Sequence, residues 1–195
     1  MKFNITEIES CIEERRTIKP EKFTSRKVHK EIITRLLNAA RWAPNNGMTQ
    51  PWHFKIFTGE GLTKLGQGMA DIYKSTTEES QFNPSRFEKL LTRPKLTSVG
   101  IAICMKPDEN GEIPEIEEVE AVACSVQNIH LMATAYGLGG YWAKGSVAYS
   151  DEMKTFLGLA PEDKCLGFFY LGYPEGDWTK SHRKPLEYNT DWIEK

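Results

Sequence analysis

The sequence has no closely spaced pair of cysteines. Cys11, Cys104, Cys124 and Cys165 are scattered, which excludes a CxxC redox motif and the usual zinc spacings. Cys104 lies in VGIAICM and Cys165 in KCLGFFYLGY, so buried free thiols are expected rather than a disulfide framework. His29, His53, His130 and His182 form no HxxxH or HExxH pair, and no metal site is expected. The longest apolar run, Val99 to Met105, is far short of the ~20 residues that cross a bilayer. Ile5 to Arg16 alternates apolar and acidic residues where a signal peptide would need an apolar block. A cytoplasmic protein without membrane partners is therefore expected. Charge is nearly balanced, with 25 basic and 27 acidic side chains and a net charge of −2, which argues against nucleic-acid binding. Without internal repeats or a linker, the 195 residues read as one domain, 1–195, with enough chain for a real core.

Helical and strand periods are both present. Asn4 followed by Glu7 predicts an N-cap and capping box, with Ile5, Ile8, Cys11 and Ile12 on one face and an end near Arg15 and Arg16. A second helix is expected after Thr24 or Ser25, with Ile33, Leu36, Leu37 and Ala40 inward, stopping before Pro44. Trp52 to Thr58 alternates like a strand, and Gly59 to Gly61 turns the chain. Leu62 to Pro94 reads as helical pieces around an irregular, mobile middle, STTEESQFNPS. Val99 to Met105 reads as a buried strand. The seven acidic residues between Asp108 and Glu120 suit a solvated turn entering a helix. That helix is predicted from about Glu117 to Tyr136, with Val119, Val122, Ala123, Val126, Ile129 and Ala133 on its core stripe. GLGG, 137–140, follows a helix rather than a strand, so it is no dinucleotide fingerprint. A short helix capped by Ser150 and stopped at Gly158 precedes the last strand, Leu166 to Tyr173. Strands and helices mix without strict βαβ alternation, and the fold class is α+β.

Two basic turns and one loop stand out. In ERRTIKP, arginines in a helix's last turn complement its dipole, and local evidence favours that structural role. Arg15, Thr17 and Lys19 are nevertheless spaced two apart on an extended segment, since Pro20 disfavours helix at Lys19. A guanidinium, a hydroxyl and an ammonium on one side suit an anionic group. Lys180, His182, Arg183 and Lys184 form a second basic cluster, which reads equally well as a solvated charge run. The connector RWAPNNGMTQPWHF carries more shape than a simple link requires. No catalytic carboxylate pair or nucleophilic triad emerges by spacing, so these patterns alone name no reaction.

RRTIK, APNNGMTQPWHF, GLGGYWAKG, GFFYLGYPEG and HRKPLE, in that order, resemble the FMN-dependent nitroreductase family, in its compact branch, along nearly the whole chain. The resemblance implies a small central, mostly antiparallel sheet flanked by helices. It also implies an intertwined homodimer, with residues 174–195 wrapping the partner and two FMN sites at the subunit interface. By position, Arg15 and Thr17 match residues on the FMN phosphate and ribityl chain, Arg16 contributes through its backbone, and Arg183 matches a second phosphate arginine. Lys19 matches a cation near the N1/O2 edge of the flavin. Trp142, Ala143, Lys144 and Gly145 match the segment along the ring, with an N–H of Lys144 or Gly145 toward N5 or O4. Trp42, Asn45, Asn46 and Gln50 edge the flavin. Lys19 and Gly145 tune it, and no side chain acts as a catalytic base.

The implied activity is hydride passage from NAD(P)H through FMN N5 to a nitroaromatic or quinone-like acceptor in a ping-pong cycle. A flavin-binding or redox-sensing protein with little turnover is the alternative, as is a dedicated dehalogenase or dehydrogenase on this fold. Two positions depart from the common pattern. Met48 stands where many relatives have asparagine, and Lys144 where an acid is frequent.

Overall fold

The computed structural model describes residues 2–194; residues 1 and 195 of the expected 1–195 domain lie outside the described residues. Its layout follows from one strand. Every residue of β2 (Val99–Met105) is buried, yet its two faces differ. Ile101, Ile103 and Met105 join one apolar cluster, while Ala102 and Cys104 join another. A strand apolar on both faces must be covered on both sides. β2 lies inside a four-stranded sheet of order β1 (Trp52–Phe57), β2, β4 (Lys164–Gly172), β3 (Gly139–Ala143), with antiparallel neighbours throughout. The fold is α+β, as expected.

One face is covered by α2 (Lys30–Ala40) and α5 (Glu115–Ala135), through Ile33, Leu36, Val122, Val126 and Ile129. α1 (Ile5–Glu14) rests on α5, where the Cys11 thiol reaches the Leu131 carbonyl at 3.4 Å. The other face is covered by α3 (Glu60–Thr76), α6 (Ser146–Tyr149) and α7 (Asp151–Leu157), through Leu65, Met69, Val147, Met153 and Leu157. Each fully buried side chain of this size contributes roughly 1.5–3 kcal/mol. α4 (Pro84–Thr92) packs on α3.

Local signals hold where they are chemically specific. The Asn4 carboxamide accepts from the Glu7 N–H at 3.4 Å, and Ser150 Oγ accepts from the Met153 N–H at 3.2 Å. Four readings are corrected. α2 starts at Lys30, not after Thr24 or Ser25, because the preceding chain is held extended by bonds from Thr24 N to Tyr173 O (2.8 Å) and Val28 N to Ser98 Oγ (2.6 Å). Gly139 to Ala143, read as connector, is strand β3. The segment from residue 60 carries a continuous 17-residue helix; the stretch after it is irregular and largely exposed, as expected, and is anchored by Phe82, which packs between Tyr73 and Phe87 with ring centroids 5.4 and 5.8 Å away. All four cysteines are free, but only Cys104 and Cys165 are buried; Cys124 is exposed.

β4 contains a bulge. Ala102 pairs with Phe168 and Cys104 with Cys165, so Leu166 and Gly167 together face Ile103. Gly167 has φ 117°, and a Cβ there would sit 2.4 Å from the Ala143 carbonyl. The bulge turns the Leu166 carbonyl toward the Trp142 indole N–H, which donates to it at 3.1 Å.

After β4 the chain runs back to its own N-terminal segment. Phe23 bridges Pro174, Trp178 Nε1 donates to the Glu14 carbonyl at 2.6 Å, and Arg16 Nε donates to the Thr179 carbonyl at 2.8 Å. The tail therefore docks on its own chain first. Farther on, Leu186, Tyr188, Trp192 and Ile193 are exposed.

Candidate functional site

α1 ends at Arg15 because the backbone turns extended there, at φ −55° and ψ 123°. Residues 15–19 then run beside β3 in the same direction: Thr17 bridges Gly140, and Ile18 N donates to the Gly140 carbonyl at 3.0 Å. Lys19 is extended before Pro20. Thr17 and Lys19 are exposed, and buried Ile18 points the other way. The two-residue spacing thus turns the hydroxyl and the ammonium outward together.

The tail brings the charge of Arg183 near enough to act on Arg15. Burial, then the neighbouring charges of Arg183 and Arg16, lower the Arg15 pKa from its ordinary value. Neither Arg15 nor Arg183 forms an ion pair with a carboxylate among the described residues. Arg183 Nη1 donates only to neutral oxygens, Ser181 Oγ at 2.8 Å and His182 O at 2.9 Å. Two guanidiniums that feel each other's charge and have no carboxylate partner among the described residues are suited to an anion.

Arg16 has a different task. Its side chain donates to the carbonyls of Glu13, Arg15 and Thr179, and its own carbonyl lies 2.9 Å from His130 Nε2. His130, buried on α5 and edge-on to Phe169, has its pKa lowered to about 4, chiefly by burial, with Arg15 adding to the effect against the bond to Arg16 O. It is neutral at ordinary pH and donates through Nε2 to fix the turn.

Past the same edge strand lies a cleft of about 300 Å³, within the range of small-ligand sites. Ala143, Lys144 and Gly145 form one wall, α4 the facing wall, and Phe168 and Tyr170 contribute from the sheet. Gly145 has φ 148°, a conformation favouring glycine, and a Cβ built there meets nothing within 4 Å. Its backbone stays open on the side where a ligand would lie. Trp142 is held by its bond to Leu166 O, and Lys144 Nζ lies 3.7 Å from its ring centroid.

The loop residues are elsewhere. The Asn45 carboxamide oxygen accepts from the Gln50 N–H at 3.1 Å, closing a loop in which Gly47, Met48 and Gln50 all have positive φ. Asn46 Nδ2 donates to Glu117 at the start of α5, at 2.9 Å. Trp42 and Met48 are 86% and 73% exposed. This loop leads into β1, while the cleft wall follows β3, on the opposite edge of the sheet. Three strand spacings, about 14 Å, separate those edges. The structure thus brings Arg15, Thr17 and Arg183 to the edge bearing Ala143, Lys144 and Gly145, and keeps Trp42, Asn45, Asn46 and Gln50 apart from them.

Arg86, Lys89, Arg93 and Tyr141 also line the cleft and were not singled out as site residues. Their signal was a three- and four-residue spacing of cations at 86, 89 and 93, in a stretch whose helical register was not recognised.

Residues 12–173 match the family described as "Nitroreductase family". An Escherichia coli (strain K12) protein named "Putative NAD(P)H nitroreductase YdjA" is 28% identical over 145 residues, covering 74% of this chain and 77% of its own. The crystal structure of a nitroreductase-like family protein from Bacillus cereus is 29% identical, covers both chains fully and superposes with a TM-score of 0.84. A Desulfovibrio desulfuricans nitroreductase-type structure in complex with FMN is 23% identical, covers 98% of this chain and 99% of its own, and has a TM-score of 0.68.

Proposed function

This chain belongs to the nitroreductase family, and on that premise we propose that it is an FMN-dependent oxidoreductase using NAD(P)H to reduce a small electron-poor acceptor of nitroaromatic or quinone type. The observation that carries this reading is the run of Arg15, Thr17 and Lys19 along the strand edge that leads to the cleft, with the charge of Arg183 near enough to act on Arg15 and no carboxylate paired to either arginine among the described residues. A bound anion offsets the repulsion between two such cations, and the FMN phosphate is an anion of that kind. The residues present fit the cofactor: a cationic head, outward polar groups on Thr17 and Lys19, and an open glycine backbone at Gly145. The FMN complex of the D. desulfuricans neighbour and the nicotinamide nucleotide in the YdjA name support the same assignment.

Bound FMN supplies hydride transfer between a nicotinamide nucleotide and the acceptor. The chain's own groups bind and bias it. Arg15 and Arg183 would hold the phosphate, and Thr17 would hydrogen-bond the ribityl chain. Lys19 would place a cation near the pyrimidine edge, where negative charge would be stabilised electrostatically. The backbone N–H groups of Lys144 and Gly145 would be the donors offered to the ring. The Arg16 side chain holds the turn and the tail, and its backbone is what it would offer the cofactor. No carboxylate lines the cleft among the described residues, in keeping with chemistry that needs no protein base.

Trp42, Asn45, Asn46 and Gln50 join this site from a second copy. Their place on the opposite sheet edge supports that arrangement, and a homodimer completes two such sites. The exposed Leu186, Tyr188, Trp192 and Ile193 give the 174–195 extension an apolar surface with which to wrap the partner. FMN titration followed by flavin fluorescence tests the reading. Saturable stoichiometric binding is expected; a protein that ignores FMN would reject it.

A further inference from the structure

α4 and its C-cap turn Arg86, Lys89 and Arg93 into the cleft, three and four residues apart, with Leu90 between them. Lys144 stands on the facing wall. Like charges at helical spacings of three and four weaken a helix, so the stripe is unfavourable for the fold unless something answers it. Arg93 is answered within the chain, because its Nε lies 2.6 Å from Glu21. Arg86 is not. It makes no ion pair among the described residues; its Nη2 donates to the neutral Ser146 Oγ at 2.8 Å, and its guanidinium lies 4.8 Å from the Tyr73 ring centroid. That bond reaches from α4 to the start of α6, one wall of the cleft to the other. One donor is used of the five a guanidinium carries, and the stacking on Tyr73 holds the fork in place.

We propose that Arg86, with Lys89 beside it, is a specificity-determining residue that receives an anionic group, a carboxylate or a phosphate, on the molecule entering the cleft beside the flavin. This rests on the flavin reading above and goes beyond it, because the FMN phosphate is assigned to Arg15 and Arg183 and leaves the α4 cations unanswered. Two sources of such an anion exist: an acidic substituent on the acceptor, or a phosphate of the nicotinamide nucleotide. The chemistry at Arg86 is the same for both. A charged acceptor atom replaces Ser146 Oγ or shares the fork with it, and the charge-assisted bond favours the anionic ligand over a neutral one of the same shape.

The test uses the FMN-loaded protein and the variants Arg86→Ala, Arg86→Gln and Lys89→Ala. Dissociation constants are read from perturbation of the bound flavin's absorption, without turnover, for 4-nitrobenzoate against 4-nitrobenzamide and for NADP+ against NAD+. The unaltered protein should prefer the anionic member of at least one pair. Arg86→Ala and Arg86→Gln should each reduce that preference by roughly tenfold or more, Lys89→Ala by less, and added salt should shrink it in the unaltered protein. The nitrobenzoate pair responding assigns the anion to the acceptor; the nucleotide pair responding assigns it to the 2′-phosphate. Preferences unchanged in both pairs while FMN stays bound would overturn the role of Arg86 and leave the flavin reading standing. A protein that binds no FMN would overturn both.

Discussion

Arg16 Nε donates to the Thr179 carbonyl at 2.8 Å, so a residue just past the first helix fastens the C-terminal tail. The Trp178 indole makes a second tie, to Glu14. Arg16→Ala is expected to free the tail: amide exchange and proteolysis over residues 178–184 should rise. FMN affinity should fall as a consequence, because Arg183 is then no longer held beside Arg15. Unchanged protection of the tail would remove Arg16 from this role.

Arg15→Ala and Arg183→Ala should each weaken FMN binding by roughly 1.5–3 kcal/mol, the worth of a charged hydrogen bond. The double variant should lose less than the sum, since the two groups share one anion and relieve each other's repulsion. Calorimetric titration measures this. FMN affinity equal to that of the unaltered protein in both single variants would reject the phosphate assignment.

His130 gives a pH signature. Burial lowers its pKa to about 4 from 6.5, so between those values the unfolded chain binds a proton that the folded chain refuses. Its contribution to stability is therefore complete above pH ~6.5 and is lost as pH falls toward 4, amounting to about 2–4 kcal/mol in total. Urea unfolding across that window should show the slope, and His130→Gln should flatten it while preserving a donor to the Arg16 carbonyl. The same slope in the variant would place the titrating group elsewhere.

Gly167→Ala should destabilise the fold by about 1–3 kcal/mol, because its φ of 117° is costly for alanine and its Cβ would press on the Ala143 carbonyl. Since that carbonyl belongs to the cleft wall, FMN affinity should drop as well. Thermal unfolding paired with FMN titration checks both. A variant with unaltered stability would contradict the bulge geometry.

Lys19→Ala should lower the two-electron reduction potential of bound FMN by roughly 20–40 mV, equivalent to about 1–2 kcal/mol of lost charge stabilisation, with the fold intact by circular dichroism. Equilibration with a reference dye gives the value. An unshifted potential would move the cation away from the ring.

Much of the fold was legible where the signal is local. Asn4 and Glu7, Ser150 and Gly158, and the apolar runs of β2 and β4 each carry their own geometry. β3 was not legible, because Gly139 and Gly140 look like punctuation and become strand only by pairing with Gly172 and Leu171. The late start of α2 depends on contacts with Tyr173 and Ser98, distant in sequence. α3 looks like polar pieces in the sequence because only one of its faces, including Leu65, Met69 and Tyr73, is buried. In the site, Arg15, Thr17 and Lys19 showed their two-residue spacing. The approach of the Arg183 charge to Arg15 is tertiary and has no local signal in the sequence. Arg86, Lys89 and Arg93 carry a helical spacing in the sequence, but only the fold turns that stripe into the wall of a cleft.

The account is tested most directly by the absorption spectrum of the FMN-loaded protein under anaerobic conditions, recorded before and after adding NADPH or NADH. Rapid bleaching of the flavin band by at least one nucleotide, reversed by a nitroaromatic compound, is the predicted result. A flavin band untouched by both nucleotides would contradict the oxidoreductase reading.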